Sequence, residues 1–107
     1  MQNRTKKTQI SQQVKNKVYL RDNQKCIICG SIYGLPEAHY ISRAKGGLGI
    51  EQNIVTLCRN CHSIFDLNKI NASKADADKI KNDIKEYLQN YYGDSWTEEK
   101  LIYKKWG

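Results

Sequence analysis

The chain has 107 residues, with 18 Lys and Arg against 11 Asp and Glu, for a formal charge of +7. That length makes one small domain, which buries a limited share of its surface and needs a staple beyond its apolar core. No run of about 18 apolar residues occurs, which excludes a membrane-spanning helix, and the basic start MQNRTKKTQISQQ lacks the apolar stretch of a secretory signal.

The elements follow in chain order. Residues 1–10 read as a basic, flexible arm, and 11–107 as one domain. Ser11 can cap a helix over 12–22, with Val14, Val18 and Tyr19 at helical spacing. Residues 36–41 read as a short strand, 42–52 as a loop rich in Gly and basic residues, and 54–57 as a second, β-branched strand. A helix over about 59–67 comes next. After Asn71 a longer helix is expected, capped by Ser73 and closed by Gly93. Ile80, Ile84, Tyr87, Leu88 and Tyr91 form its amphipathic stripe, which is expected to pack on the core or else to form a dimer or partner-docking face. Ser95-Trp96-Thr97-Glu98 reads as a capping box opening a last short helix. The tail from Leu101 to Trp106 is apolar enough to dock. The class is α+β.

The charge is uneven. Residues 1–25 carry seven basic residues against Asp22 alone, residues 26–66 carry three of each sign, and residues 67–107 carry eight basic and seven acidic. A basic segment beside a neutral middle fits a polyanion such as nucleic acid, or else a solubilising tail.

Four cysteines form two pairs, Cys26-Ile-Ile-Cys29 and Cys58-Arg-Asn-Cys61, separated by 28 residues. With no secretory signal the compartment is expected to be reducing, hence cytoplasmic, and disulfides are disfavoured. Two Cys-x-x-Cys knuckles are instead the usual way to offer four thiolates to one structural Zn²⁺. Gly30 suits the tight turn after the first knuckle. The metal would be the staple that the small core lacks.

Between the pairs lies His39, and directly after Cys61 lies His62, with Asp66 four residues on and on the same helical face. His62 and Asp66 can offer a nitrogen and a carboxylate to one divalent cation. Arg43 and Lys45 sit in a loop whose glycines would let a phosphate backbone approach. Asn53 can bond the loop backbone or reach the site. Phosphodiester cleavage needs these parts: a metal and cations for the developing charge, and a neutral imidazole to take a proton from water. Taken singly, His39 reads as a packed residue, His62 and Asp66 as a helix-surface pair, and Asn53 as a turn residue.

The segment Cys-Ile-Ile-Cys-Gly, followed by Glu-Ala-His-Tyr-Ile-Ser-Arg-Ala-Lys-Gly-Gly-Leu-Gly-Ile-Glu-Gln-Asn-Ile-Val-Thr-Leu-Cys-Arg-Asn-Cys-His-Ser-Ile-Phe-Asp, resembles the HNH family of nucleases. It covers residues 26–66, and the His, Asn and His of the family name fall at His39, Asn53 and His62. The whole chain is similar to small phage or prophage HNH endonucleases. The resemblance implies a ββα-metal core over about 26–68 with a C-terminal helical extension over 72–107. It implies His39 as the general base, Asn53 as an organiser of the catalytic loop or a metal ligand, and His62 as a metal ligand with Asp66 beside it. It also implies one Mg²⁺-like ion, Mg²⁺ or Mn²⁺, and products with 5′-phosphate and 3′-hydroxyl ends. Many members carry Asp or His before the base as a first metal ligand. Here that position is Ala38, and Glu37 alternates away from it on a strand.

The leading expectation is a metal-dependent DNA endonuclease with a structural Zn²⁺. Lys15 and Arg21 on the first helix join Arg43 and Lys45 in gripping DNA phosphates. The alternatives are a non-catalytic, zinc-stabilised DNA-binding module, favoured by Ala38, and a protein-interaction module. A phage-encoded chain would work in the host bacterial cytoplasm, with phage packaging proteins as further candidate partners.

Overall fold

The computed structural model describes residues 4–67 and 73–104. Helices α1 (Arg4–Thr8) and α2 (Gln12–Arg21) lead into strands β1 (Leu35–His39) and β2 (Ile54–Leu57), then helices α3 (Arg59–Phe65) and α4 (Lys74–Tyr92). Short 3-10 turns occupy Arg43–Lys45, Gly93–Ser95 and Glu98–Leu101. This is the small α+β architecture expected, around a two-stranded antiparallel sheet. Among the described residues no helix is long and apolar enough to cross a membrane. Lys105 and Trp106 of the tail, and the expected boundaries at residues 68, 71 and 72, lie outside the described residues.

Local chemistry sets the helix starts. The Ser11 hydroxyl accepts from the Val14 amide at 3.1 Å, and the Ser73 hydroxyl accepts from the Asp76 amide at 3.0 Å. Each satisfies one of the amides that a helix start leaves without a partner. Helix α4 buries Ala77, Ile80, Ile84 and Leu88 against the core and packs on α3, while α2 packs on both strands. The expected stripe holds at Ile80, Ile84 and Leu88, but Tyr91 is 57% exposed. The last turn also differs from expectation. Glu98–Leu101 is capped at Thr97 with no side-chain bond, and the Ser95 hydroxyl donates to the Tyr92 carbonyl instead, so no capping box forms.

Strand β2 is buried at every position, as a short apolar run covered by helices should be. Its partner carries one extra residue between Leu35 and Ala38, a bulge that includes Pro36, which has no amide to donate. The first strand ends earlier than residue 41. The Tyr40 amide still donates to the Asn53 carbonyl, but the Ile41 amide turns to the Asn53 side chain. Thr56 is fully buried, and its hydroxyl is a buried polar atom with no partner. Such a group keeps its desolvation cost without a compensating bond. Thr56→Val should therefore raise the stability by about 1 kcal/mol, read as a higher thermal midpoint by circular dichroism.

The N-terminal segment departs most from the sequence reading. Arg4–Thr8 is helical, and Thr8 is 2% exposed. The Gly49 amide donates to the Lys7 carbonyl at 3.1 Å, tying this segment to the loop after β1. The C-terminal segment reaches the same loop. The Leu48 amide donates to the Leu101 carbonyl at 2.8 Å, and the Tyr103 amide to the Gly46 carbonyl at 2.7 Å.

Candidate metal centre and catalytic pocket

The four cysteine sulfurs lie within 4.8 Å of one another, and the Cys29 and Cys58 sulfurs are 3.6 Å apart. A tetrahedral ion with bonds of about 2.3 Å to sulfur spaces its ligands by about 3.8 Å. The cluster has that size, and all four cysteines are free of disulfides. The folding around it is local. The Gly30 amide returns to the Cys26 carbonyl at 2.9 Å, and Gly30 takes a φ of +78°, the left-handed turn that glycine accepts without strain. The Ile27 amide joins the first knuckle to β2 at the Thr56 carbonyl. Cys58 serves as the cap of α3, its sulfur accepting from the Cys61 amide.

The electrostatics favour a cation. Burial pushes the Cys26 thiol up, but the backbone amides of Cys29, Cys58 and Ile28 outweigh it and bring it down to about 7. Burial, together with the neighbouring sulfurs of Cys58, Cys26 and Cys29, drives the Cys61 thiol far above its ordinary value. Four thiolates cannot coexist in this volume without a positive ion, and a structural metal such as zinc fits the donor set.

The second site lies beyond the sheet. His39 borders a cavity of about 250 Å³ with Ser42, Lys45, Asp66, Lys74 and Lys81. Asp66 also borders an adjoining cavity of about 260 Å³ with His62, Glu37 and Arg59. The His62 Nε2 is 3.1 Å from the Asp66 Oδ2, both side chains partly exposed. Helix α3 stops at Phe65, two residues short of the expected end, so Asp66 sits at its C-cap while its amide still reaches the His62 carbonyl. The imidazole and the carboxylate thus face one space, a donor pair suited to a divalent ion.

His39 is half-buried, and its Nε2 is 2.8 Å from the Thr8 carbonyl. Burial lowers its pKa below the ordinary imidazole value. The Thr8 carbonyl and Asp66 act against that shift, and Arg43 and His62 act with it. The ring is therefore neutral near pH 7 and has a lone pair free to accept a proton.

The other expected site residues divide. Lys45 lines the pocket. Arg43 lies beside it, its Nε 3.3 Å from the Thr8 hydroxyl. Lys15 is ion-paired with Glu37 at 3.4 Å. Arg21, expected to grip DNA, is a correction. Its side chain is 4% exposed, and it donates to both Asp22 oxygens, to the Glu51 and Ile54 carbonyls and to the Tyr92 hydroxyl. Burial alone would lower its pKa, but Asp22 more than offsets that and raises it. All five donors of the fork are spent inside the protein.

Asn53 is likewise fully buried. Its side chain accepts from the Ile41 amide and donates to the Ile41 and Leu48 carbonyls. Of the two expected roles, the organiser of the loop is the one these bonds serve, since the buried side chain is turned to the loop backbone. The loop glycines are a further correction. A Cβ on Gly47 would lie 1.7 Å from the Ile41 carbonyl oxygen, and one on Gly49 would lie 1.9 Å from that of Gln9. They admit the protein's own backbone and not an incoming phosphate. Ala38 is fully buried opposite Val55, so the position of the missing ligand points into the core.

Sequence reasoning missed Lys74 and Lys81. They stand seven residues apart on α4, the spacing of one helical face, and that face forms a wall of the His39 cavity. The periodicity that flagged the buried stripe carried no sign that the same helix lines the pocket. Residues 26–64 match the family model described as HNH endonuclease. No curated protein and no solved structure matches the chain significantly.

Proposed function

We propose, from the match of residues 26–64 to the HNH endonuclease model, that the chain is a metal-dependent DNA endonuclease in which His39 activates water. The observation that carries this reading is the shared pocket. His39 and Asp66 border one cavity, and Asp66 is bonded to His62 across its rim. Lys45 and Lys81 supply positive charge for a phosphate there.

In this reading a DNA phosphate enters between β1 and α3. The neutral His39 ring takes a proton from a water as that water attacks phosphorus. The bond from phosphorus to the 3′-oxygen breaks on the opposite side, and that oxygen takes up a proton to give a 3′-hydroxyl beside a 5′-phosphate. His62 and Asp66 would hold a divalent ion, Mg²⁺ or Mn²⁺, which as a Lewis acid stabilises the charge that develops on the phosphoryl and leaving oxygens. Lys45 and Lys81 orient the backbone through its charge. The four cysteines would hold Zn²⁺, which would tie the first knuckle to the start of α3 and take no part in the chemistry. Asn53 acts through the loop and is a positioning residue.

The test is nicking of a supercoiled plasmid by the zinc-loaded protein with Mg²⁺ or Mn²⁺. Metal-dependent conversion to the open circle supports the reading. DNA binding without cleavage across a series of divalent ions would replace it with a non-catalytic zinc-stabilised DNA-binding module, the alternative that Ala38 favours in sequence.

The contribution of α4 has its own signature. Lys81→Gln should weaken DNA binding at low salt several-fold and flatten the plot of log affinity against log salt by about 0.9, the loss of one phosphate contact. Fluorescence anisotropy over a salt series measures both. Arg21→Gln should instead lower the thermal midpoint, because Asp22 loses its buried partner.

A further inference from the structure

We propose that the N-terminal segment is the positioning element for the catalytic base: the Thr8 carbonyl holds the proton of His39 on Nε2 and leaves Nδ1 as the nitrogen that accepts a proton from water. The inference rests on the reading of His39 as the base, and it assigns the segment a task other than contact with phosphates.

The argument starts from the bond itself. A carbonyl oxygen only accepts, so a ring nitrogen 2.8 Å away must carry the hydrogen. A neutral imidazole has one N–H, so fixing it on Nε2 leaves the lone pair on Nδ1. In free solution both tautomers are populated and the ring turns. A ring that has lost this contact spends part of its time with the wrong nitrogen towards the water.

The carbonyl that does this is itself held. Thr8 is buried, and its hydroxyl meets the Arg43 Nε. On one side the Lys7 carbonyl accepts from the Gly49 amide. On the other, the Gln9 carbonyl lies against Gly49 so closely that a Cβ there would sit 1.9 Å from its oxygen. The carbonyls on either side of Thr8 are thus fixed by one loop residue, and the one between them meets His39. Asn53 holds the far side of the same loop through Leu48 and Ile41. The base is aimed by a chain of backbone contacts that begins outside the HNH segment.

The experiment uses the whole chain. Residues 1–25 are made synthetically with the Thr8–Gln9 amide replaced by an ester. They are joined to 26–107 through the thiol of Cys26, which regenerates the native sequence at the junction. An all-amide chain made the same way is the control, and both are loaded with zinc. Ring-nitrogen NMR of ¹⁵N-histidine in the recombinant part reads only His39 and His62. The control should show His39 protonated on Nε2 and bare on Nδ1. The ester oxygen is a weaker acceptor, so the ester chain should show a mixture of tautomers. Its nicking rate should fall roughly three- to tenfold with DNA affinity unchanged. Gly49→Ala, expressed as a whole chain, displaces the same segment and should shift the tautomer in the same direction. A control with His39 protonated on Nδ1 overturns the proposal, as does an ester chain with unchanged tautomer and rate. A control with the expected tautomer that never nicks DNA overturns the nuclease reading instead.

Discussion

Replacing His39 by alanine is expected to lower plasmid nicking by roughly 10²–10⁴-fold, the usual worth of a positioned general base. The variant should still bind DNA, because Lys45 and Lys81 are untouched. It also strands the Thr8 carbonyl, which is otherwise bonded to the ring, at a cost of about 1–3 kcal/mol. His39→Gln separates the two effects, since its amide can still donate to Thr8 while it cannot take a proton near pH 7. A glutamine variant with native-like melting and no nicking would assign the loss to chemistry. One that nicks at the parent rate would remove His39 from the mechanism. The pH profile has a definite sign. The active ring is neutral, and its pKa is held below the ordinary value, first by burial and then by Arg43 and His62. Activity is therefore lost as pH falls through that depressed pKa, and the acid limb lies below about 6.5. An acid limb above that value would contradict the burial of the ring.

Stripping zinc from the zinc-loaded protein should unfold it. A structural zinc contributes an apparent 10–16 kcal/mol in small domains, as much as or more than the roughly 5–15 kcal/mol by which such domains are stable. Here the cysteines belong to the core cluster itself, with Cys26, Cys58 and Cys61 buried beside Leu57 and Val55. Without a cation the buried Cys61 thiol does not ionise near neutral pH, while the Cys26 thiol is held down to about 7, so the cluster keeps a buried partial charge with no counter-ion. A strong chelator should abolish the helical circular dichroism signal and expose four reactive thiols. Cys61→Ala should purify unfolded or without bound metal. A helical signal that persists after complete chelation would show that the apolar core suffices, and would reduce the cluster to an accessory.

Signals that act within a few residues were legible in the sequence. The spacing of Cys26, Cys29, Cys58 and Cys61 gave the metal cluster, Ser11 and Ser73 gave two helix starts, and the β-branched run gave β2. His39 and Asp66 were placed at one site on the strength of the same frame. What escaped were pairings across long stretches of chain. Arg21 reads as one more surface cation until Asp22, Glu51, Ile54 and Tyr92 close around it, and three of those four lie far away in sequence. Its burial removes one positive charge from the face that charge counting assigned to DNA. Residues 1–10 look like a free arm because the attachment seen at Lys7, Thr8 and Gln9 runs largely through backbone carbonyls, which side-chain identity does not reveal. Gly47 and Gly49 advertised room near the backbone but not whose backbone would fill it. Lys74 and Lys81 were hidden because a helix has more than one face, and apolar periodicity describes only the buried one.

The loop from Gly46 to Gly49 is stitched from both directions, to Lys7 on one side and to Leu101 and Tyr103 on the other. Its order depends on partners that lie far apart on either side of it in the sequence. Pairings of such wide sequence separation form late, after the entropy of closing long stretches has been met. A nascent chain that has already emitted both cysteine knuckles and His39 still lacks the residues that seat the loop beside the pocket. Order in this loop should therefore appear in one step, once the segment around Tyr103 has docked, and not build up gradually along the emerging polypeptide.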